Sequence, residues 1–441
     1  MKKVHFIGIG GIGISAIARF LKEKNFIISG SDISESETVK DLRNEGMKIS
    51  TPHSKNNITD QDFVVYSAAI KPDNEELLEA NKKGIKCYSR KEILPFVLKD
   101  KKVFSVAGAH GKSTTSAMLS SLIEGSVIIG AISKQFGSNM KYFESDKIVF
   151  EADESDSSFL NSNPYLAVVT NAEPEHMEHY DFSIEKFHAA YKGFLERAEI
   201  CVINAEDEFL GSLKKECIKL FPSKDIEDIK LVLRDYEPYM SFRLKNLGRF
   251  EVFGIGEHIA IDASLAILAA SSQIGLEEIR KNLTFYKGIK KRFDILVAKK
   301  DFVLIDDYAH HPTEIKATLK SVKEYAKLLG INKITAIFQP HRFTRLKANL
   351  NGFKECFKEC DDLVILPVYS AGESDNGISL KDEFSHLNPL FANSVKRVDD
   401  HIEFSDIYDV KHILNEGIVV GFGAGDISNQ LRKILWDMLF L

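Results

Sequence analysis

Two glycine-rich turns, each between a short apolar run and an amphipathic one, limit what this chain can fold into. Gly8-Ile9-Gly10-Gly11-Ile12-Gly13 follows the apolar run 4–7, and Gly108-Ala109-His110-Gly111-Lys112-Ser113-Thr114 follows the run 103–106. A strand that turns tightly into a helix is the building unit of a parallel α/β sheet, and small residues at the turn open the helix amides to a phosphate. The alternation continues, with strands predicted over 4–7, 26–29 and 63–67, then 103–106, 148–150, 166–169 and 200–203, then 302–305, 334–338, 363–366 and 418–421. A helix is expected over 13–24. The fold class is therefore α/β, in three sheets, with domains expected at 1–98, 99–295 and 296–441.

A chain of 441 residues is long enough for three buried cores. Lys+Arg total 58 against 64 Asp+Glu, a formal charge of -6 without a basic block, so no nucleic-acid partner is expected. No apolar stretch is long enough to span a bilayer and no secretion signal is visible, so membrane insertion is not expected and a cytoplasmic location is. The five cysteines contain no CxxC pair, which argues against a disulfide framework or structural zinc. Cys356 and Cys360 are spaced to share one helix face.

The first turn satisfies GxGxxG through Gly8, Gly10 and Gly13, with Gly11 beside them, and Asp32 follows where that fingerprint puts an acid on a ribose hydroxyl. Alone, this suggests an NAD-dependent oxidoreductase; it specifies a diphosphate without saying which. The second turn is more specific. Amides of Gly108, Ala109, His110 and Gly111 would cradle phosphates, Lys112 neutralise them, and Ser113 or Thr114 offer a hydroxyl to Mg²⁺. Val106 stands where the full GxxxxGK[ST] pattern has its first glycine. Glu151-Ala152-Asp153-Glu154-Ser155-Asp156 and Asn171-Ala172-Glu173-Pro174-Glu175-His176 each follow a predicted strand, and open α/β sheets bind ligands at that edge. Oxygen donors there suit Mg²⁺, with His176 placed for a second cation. Read singly, the acidic run and His341-Arg342-Phe343-Thr344-Arg345 are solvated helix starts. The adjacent His310 and His311 diverge and lack a third ligand, so zinc is not expected there.

Together with Asp306-Asp307-Tyr308-Ala309-His310-His311-Pro312 and Gln339-Pro340-His341-Arg342-Phe343-Thr344-Arg345, these motifs occur in an order that resembles the Mur ligases along essentially the whole chain. The resemblance implies an N-terminal Rossmann-like domain for a UDP-sugar, a central P-loop ATPase-like domain and a C-terminal Rossmann-like domain for an amino acid. It implies an ATP-dependent carboxylate–amine ligase of peptidoglycan precursor synthesis, which joins L-alanine to the carboxylate of UDP-N-acetylmuramate through an acyl phosphate. On that footing Gly8, Gly10, Gly11, Gly13 and Asp32 hold the UDP-sugar rather than NAD. Lys112 and Arg292 contact ATP phosphates, Ser113 or Thr114 with Glu151 hold one Mg²⁺, and His176 holds a second. Asp306 or Asp307 lies near the ATP ribose, and Tyr308, His341, Arg342 and Arg345 recognise L-alanine. The adenine segment departs from the family form: in Gly256-Glu257-His258-Ile259 only His258 is retained. Tyr191, with Lys192 beside it, holds the place where some Mur ligases carry a carbamylated lysine. The expected assembly is a monomer or weak homodimer.

Overall fold

The computed structural model describes residues 1–155, 157–375, 377–406 and 409–432, so Asp156 of the acidic motif lies outside the described residues. The chain divides into two compact units. The larger comprises Met1–Ile229, Phe242–Val252 and Glu257–Ile289, and the smaller Lys230–Ser241, Phe253–Gly256 and Lys290–Leu441.

The larger unit carries two sheets. In the first, strands run in the order Lys48–Ser50, Ile27–Ser31, Lys3–Ile7, Phe63–Tyr66, Lys86–Ser89, all parallel. The order reverses on either side of Lys3–Ile7, so the Gly8 turn leaves the sheet at a switch point, where a crevice opens. In the second sheet Lys102–Ala107 lies between Leu166–Val169 and Lys147–Glu151, parallel to both, which puts the Lys112 loop at the corresponding place. Leu166–Val169 is buried throughout, as a parallel strand covered on both faces must be. One apolar core runs from Val4 and Phe6 through Leu94 and Val103 to Phe187 and Ile203, across both sheets.

The helices that follow the two glycine turns differ at the N-terminus from several others of the unit. Ser36, Asn74, Ser183 and Asp207 cap their helices with side-chain oxygens. Helices Ile12–Glu23 and Lys112–Leu122 start from Gly11 and Gly111, which have no side chain to accept from the first amides. Those donors are left for an anion.

The smaller unit has a sheet ordered Asp294–Ala298, Phe302–Asp307, Gly417–Phe422, Ile334–Phe338, Asp362–Ile365, Leu390–Phe391, parallel except for its first strand. Two antiparallel features were not foreseen: a three-stranded sheet of Ser394–Val398, His401–Ser405 and Val410–Leu414, and another of Ile226–Arg234, Glu237–Leu244 and Gly248–Phe253. The helix expected to carry Cys356 and Cys360 ends at Cys356, so the two do not share a helix face; all five cysteines are free. Among the described residues no helix is long and apolar enough to cross a membrane.

Candidate active site

The Lys112 loop runs from the end of strand Lys102–Ala107 into helix Lys112–Leu122. Gly111 turns it with φ +80°, and a Cβ there would stand 2.5 Å from Oδ1 of buried Asp262, so only glycine fits. Lys112 Nζ is folded back on the loop, donating to the carbonyls of Gly108 at 2.5 Å and Ala109 at 3.0 Å and to Glu154 Oε1 at 2.8 Å. Glu154 is 1% exposed, and burial pushes its carboxyl above the usual range against the pull of Lys112. Its other oxygen, Oε2, has no hydrogen-bond partner.

Ser113 Oγ donates to Glu151 Oε1 at 2.8 Å, while Glu151 Oε2 accepts from the Gly130 amide at 2.7 Å. Thr114, half-buried, follows in the first helical turn. His110 is exposed, with Nε2 at 3.4 Å from Glu175 and 3.5 Å from Glu173, and its amide donates to Asn171. His176 has φ +51° at the turn before the helical segment Met177–Tyr180. One ligand atom from each of Glu154, Glu175 and His176 lies within 4.8 Å of the others. An imidazole beside two carboxylates, one with an unpartnered buried oxygen, is a donor set that accepts a divalent cation. Two segments, 151–154 and 173–176, thus meet the Lys112 loop. His258 lies apart from these contacts, exposed in the first turn of helix Glu257–Ser271.

The first glycine turn faces the same place. A cavity of about 160 Å³ is lined by Gly13, Arg90, Lys112, Glu151, Asp153 and Ser158 among others. Arg90 donates to Asp153 at 2.7 Å and to Ser158 at 3.1 Å, and its guanidinium comes so near Gly13 that a Cβ there would stand 2.7 Å from Nη1. Burial raises the Asp153 carboxyl, but Arg90 and Ser155 bring it below the ordinary value. Asp32, expected at a ribose, accepts from the amides of Gly10 and Ile33, each at 2.8 Å, so it braces the turn that it follows. Arg90 had no recognisable motif; its position depends on residues distant in sequence.

In the smaller unit, Arg292 is exposed in a turn where Lys291 and Phe293 have positive φ. The turn is held by Asp307, whose Oδ2 accepts from the Phe293 amide at 3.1 Å and whose Oδ1 accepts from Ala309 at 2.8 Å. Burial pushes the Asp307 carboxyl up to about 6. Asp306 points into the core, where its Oδ2 accepts from Ser428 and Arg432, each at 2.6 Å. Arg345 Nη1 lies 3.0 Å from His341 Nδ1, and the His341 ring stacks on Tyr369 with centroids 5.6 Å apart and planes at 12°. Burial, then Arg345, Arg342 and His310, hold the His341 imidazole below its ordinary pKa. Arg342 is exposed as the N-cap of helix Phe343–Ala348, so this run is indeed a helix start, and its amide donates to the Tyr369 carbonyl. Tyr308 and His310 complete the ring cluster, with centroids 5.2 Å apart. Tyr369 and His310 were not assigned from the sequence. His311 Nε2 lies 3.0 Å from Asn349 Oδ1.

Comparison with known proteins places these features in context. Residues 3–102 match the family model described as Mur ligase family, catalytic domain; residues 106–270 match the Mur ligase middle domain; residues 291–425 match the Mur ligase, glutamate ligase domain. A UDP-N-acetylmuramate--L-alanine ligase of Campylobacter curvus is 72% identical over 432 residues, covering 98% of this chain and 99% of that protein. One from Campylobacter jejuni is 60% identical over 434 residues, covering 98% and 99%. The crystal structure of a UDP-N-acetylmuramate-alanine ligase from Thermotoga maritima superposes with a TM-score of 0.80 at 28% identity, covering 98% of each chain.

Proposed function

Since the chain belongs to the Mur ligase family, an ATP-dependent family of carboxylate–amine ligases, we propose that it joins L-alanine to the carboxylate of UDP-N-acetylmuramate, releasing ADP and phosphate. The observation that carries this reading is the cavity shared by Gly13 of one glycine turn and Lys112 of the other. A dehydrogenase has no use for a phosphate-binding lysine facing its diphosphate turn. A ligase that passes a phosphoryl group from one nucleotide to a sugar-borne acid needs both.

The chemistry follows from charge and leaving groups. An amine does not usefully attack a carboxylate, so the γ-phosphoryl group of ATP goes first to the sugar's acid, and the amine then displaces phosphate from the acyl phosphate. Such transfer depends on positioning and charge neutralisation. Lys112 leaves Glu154 for the triphosphate, and Arg292 supplies a second positive charge. In this reading Ser113, Thr114 and Glu151 would hold one Mg²⁺ and His176, with Glu154 and Glu175, a second; the bound ions neutralise the triphosphate. The amides of Gly108, Ala109, His110 and Gly111 cradle its oxygens, with His258 and Asp306 or Asp307 toward the nucleoside. Gly8, Gly10, Gly11, Gly13 and Asp32 serve the UDP-sugar. Arg342 and Arg345 fork the alanine carboxylate, with Tyr308 and His341 beside them; a neutral His341 does not repel the ammonium of the incoming amino acid. Residues 1–98, 99–295 and 296–441 would take the UDP-sugar, ATP and amino acid in turn.

The test is phosphate release from purified protein with ATP and Mg²⁺. Turnover is expected only when UDP-N-acetylmuramate and L-alanine are both present, with ¹⁸O from the sugar carboxylate appearing in phosphate. Absence of the label in phosphate, or preference for a preformed tripeptide over L-alanine, refutes this reading.

A further inference from the structure

Tyr191 lies on helix Ile184–Glu196, fully buried, with its ring 5.3 Å from that of Phe159 and 5.0 Å from that of Phe187. Packing fixes the ring, yet its hydroxyl has no hydrogen-bond partner. A buried hydroxyl without a partner costs about 1–3 kcal/mol, a loss that native cores rarely accept without reason. Glu154 Oε2, in the same interior, is also without a partner. Burial first, and then the negative charge of Glu154, keep the hydroxyl protonated.

The alternatives nearby are already committed. Tyr180 donates its hydroxyl to the Glu154 main-chain carbonyl at 2.6 Å. Asp207 accepts from the amides of Ala172 at 2.7 Å and Leu210 at 2.9 Å. Lys112 occupies only Oε1 of Glu154. Phe159, whose ring packs on Tyr191, donates its amide to the Asp153 carbonyl at 3.0 Å, next to Glu154, and a phenol and a carboxylate oxygen that are both buried and without a partner can be joined by a water.

We propose that Tyr191 is a positioning residue for the cation site of Glu154, Glu175 and His176, its hydroxyl donating through a bridging water to Glu154 Oε2. The identity of the cation rests on the ligase reading above. Once Lys112 turns to the triphosphate, Glu154 would be a buried carboxylate stripped of its counter-ion, which is costly. The phenol-held water then keeps Oε2 oriented as the cation takes the place of the ammonium.

Mn²⁺ binding to the full chain, followed by electron paramagnetic resonance with a non-hydrolysable ATP analogue present, tests this without turnover. Tyr191→Phe deletes only the hydroxyl and keeps the buried ring, and its thermal midpoint, read alongside, shows that the variant folds. The weaker Mn²⁺ site is expected to lose about tenfold in affinity, the scale of an outer-shell deletion. In a Glu154→Gln background the same change should add no further loss. Unchanged Mn²⁺ affinity in Tyr191→Phe, or an equal loss in both backgrounds, overturns the proposal. Failure of the ligase reading would appear in the phosphate-release assay and not in this titration.

Discussion

Lys112 shows how one side chain serves stability and chemistry through different contacts. Its ammonium is the counter-ion of a carboxylate that is 1% exposed, so Lys112→Met leaves Glu154 buried and uncompensated. The expected cost is about 3–5 kcal/mol in urea unfolding. Lys112→Met/Glu154→Gln should recover most of that loss, while phosphate release stays abolished in both; recovery of turnover in the double variant would take Lys112 out of the mechanism. Asp307 offers a second test. Its carboxyl is raised from 3.8 to about 6 by burial. Between those values the folded chain holds a proton that the unfolded chain has lost, so this group's contribution to stability falls as pH rises from about 4 to 6 and is level above. Subtracting the unfolding free energy of Asp307→Asn from that of the parent across pH 4–7 should show that downward slope; a flat difference contradicts it.

Helix Ile12–Glu23 is seated by one amide side chain from a distant hairpin. Asn139, fully buried, donates to the Ile12 carbonyl at 2.6 Å and Ser15 Oγ at 2.9 Å, and accepts from Arg19 Nη1 at 2.6 Å. Asn139→Ala removes all three hydrogen bonds at once, two of them to buried Ser15 and Arg19, and is expected to cost about 1–3 kcal/mol. Because this helix opens at the first glycine turn, UDP-sugar affinity by calorimetry should fall with it, whereas affinity for an ATP analogue should not. The central parallel strands could be read from sequence because burial on both faces makes them largely apolar runs, as in Leu166–Val169 and Ile334–Phe338. Their ends were underestimated: Lys102–Ala107 and Phe302–Asp307 extend into residues whose main chains still pair although their side chains are charged or small. Ser394–Val398 and His401–Ser405 escaped because the first buries only Val395 and the second only Ile402 and Phe404, a weak signal over five positions.

Two compact units predict two responses to ligands in scanning calorimetry. The Lys112 loop belongs to the larger unit, and His341, Arg342 and Arg345 to the smaller. An ATP analogue with Mg²⁺ at a hundredfold over its dissociation constant adds about 2.7 kcal/mol to whatever binds it. If Arg292 and Asp306 or Asp307 contribute to ATP binding as proposed, both transitions should rise; a shift confined to the larger unit would limit the nucleotide site to residues such as Lys112, Ser113 and Glu151. The glycine turns, the lysine and hydroxyls that follow them, and the α/β alternation could all be read from neighbouring residues, since each depends on local backbone geometry and on the periodicity of burial. The ion pair of Lys112 with Glu154, the unpartnered Tyr191 hydroxyl, Arg90 beside Gly13 and the stacking of His341 on Tyr369 depend on segments far apart in the chain. Parallel strands bring such segments to one edge, and the burial that results there pushes the carboxyls of Glu154 and Asp307 above their ordinary range, which no local pattern encodes.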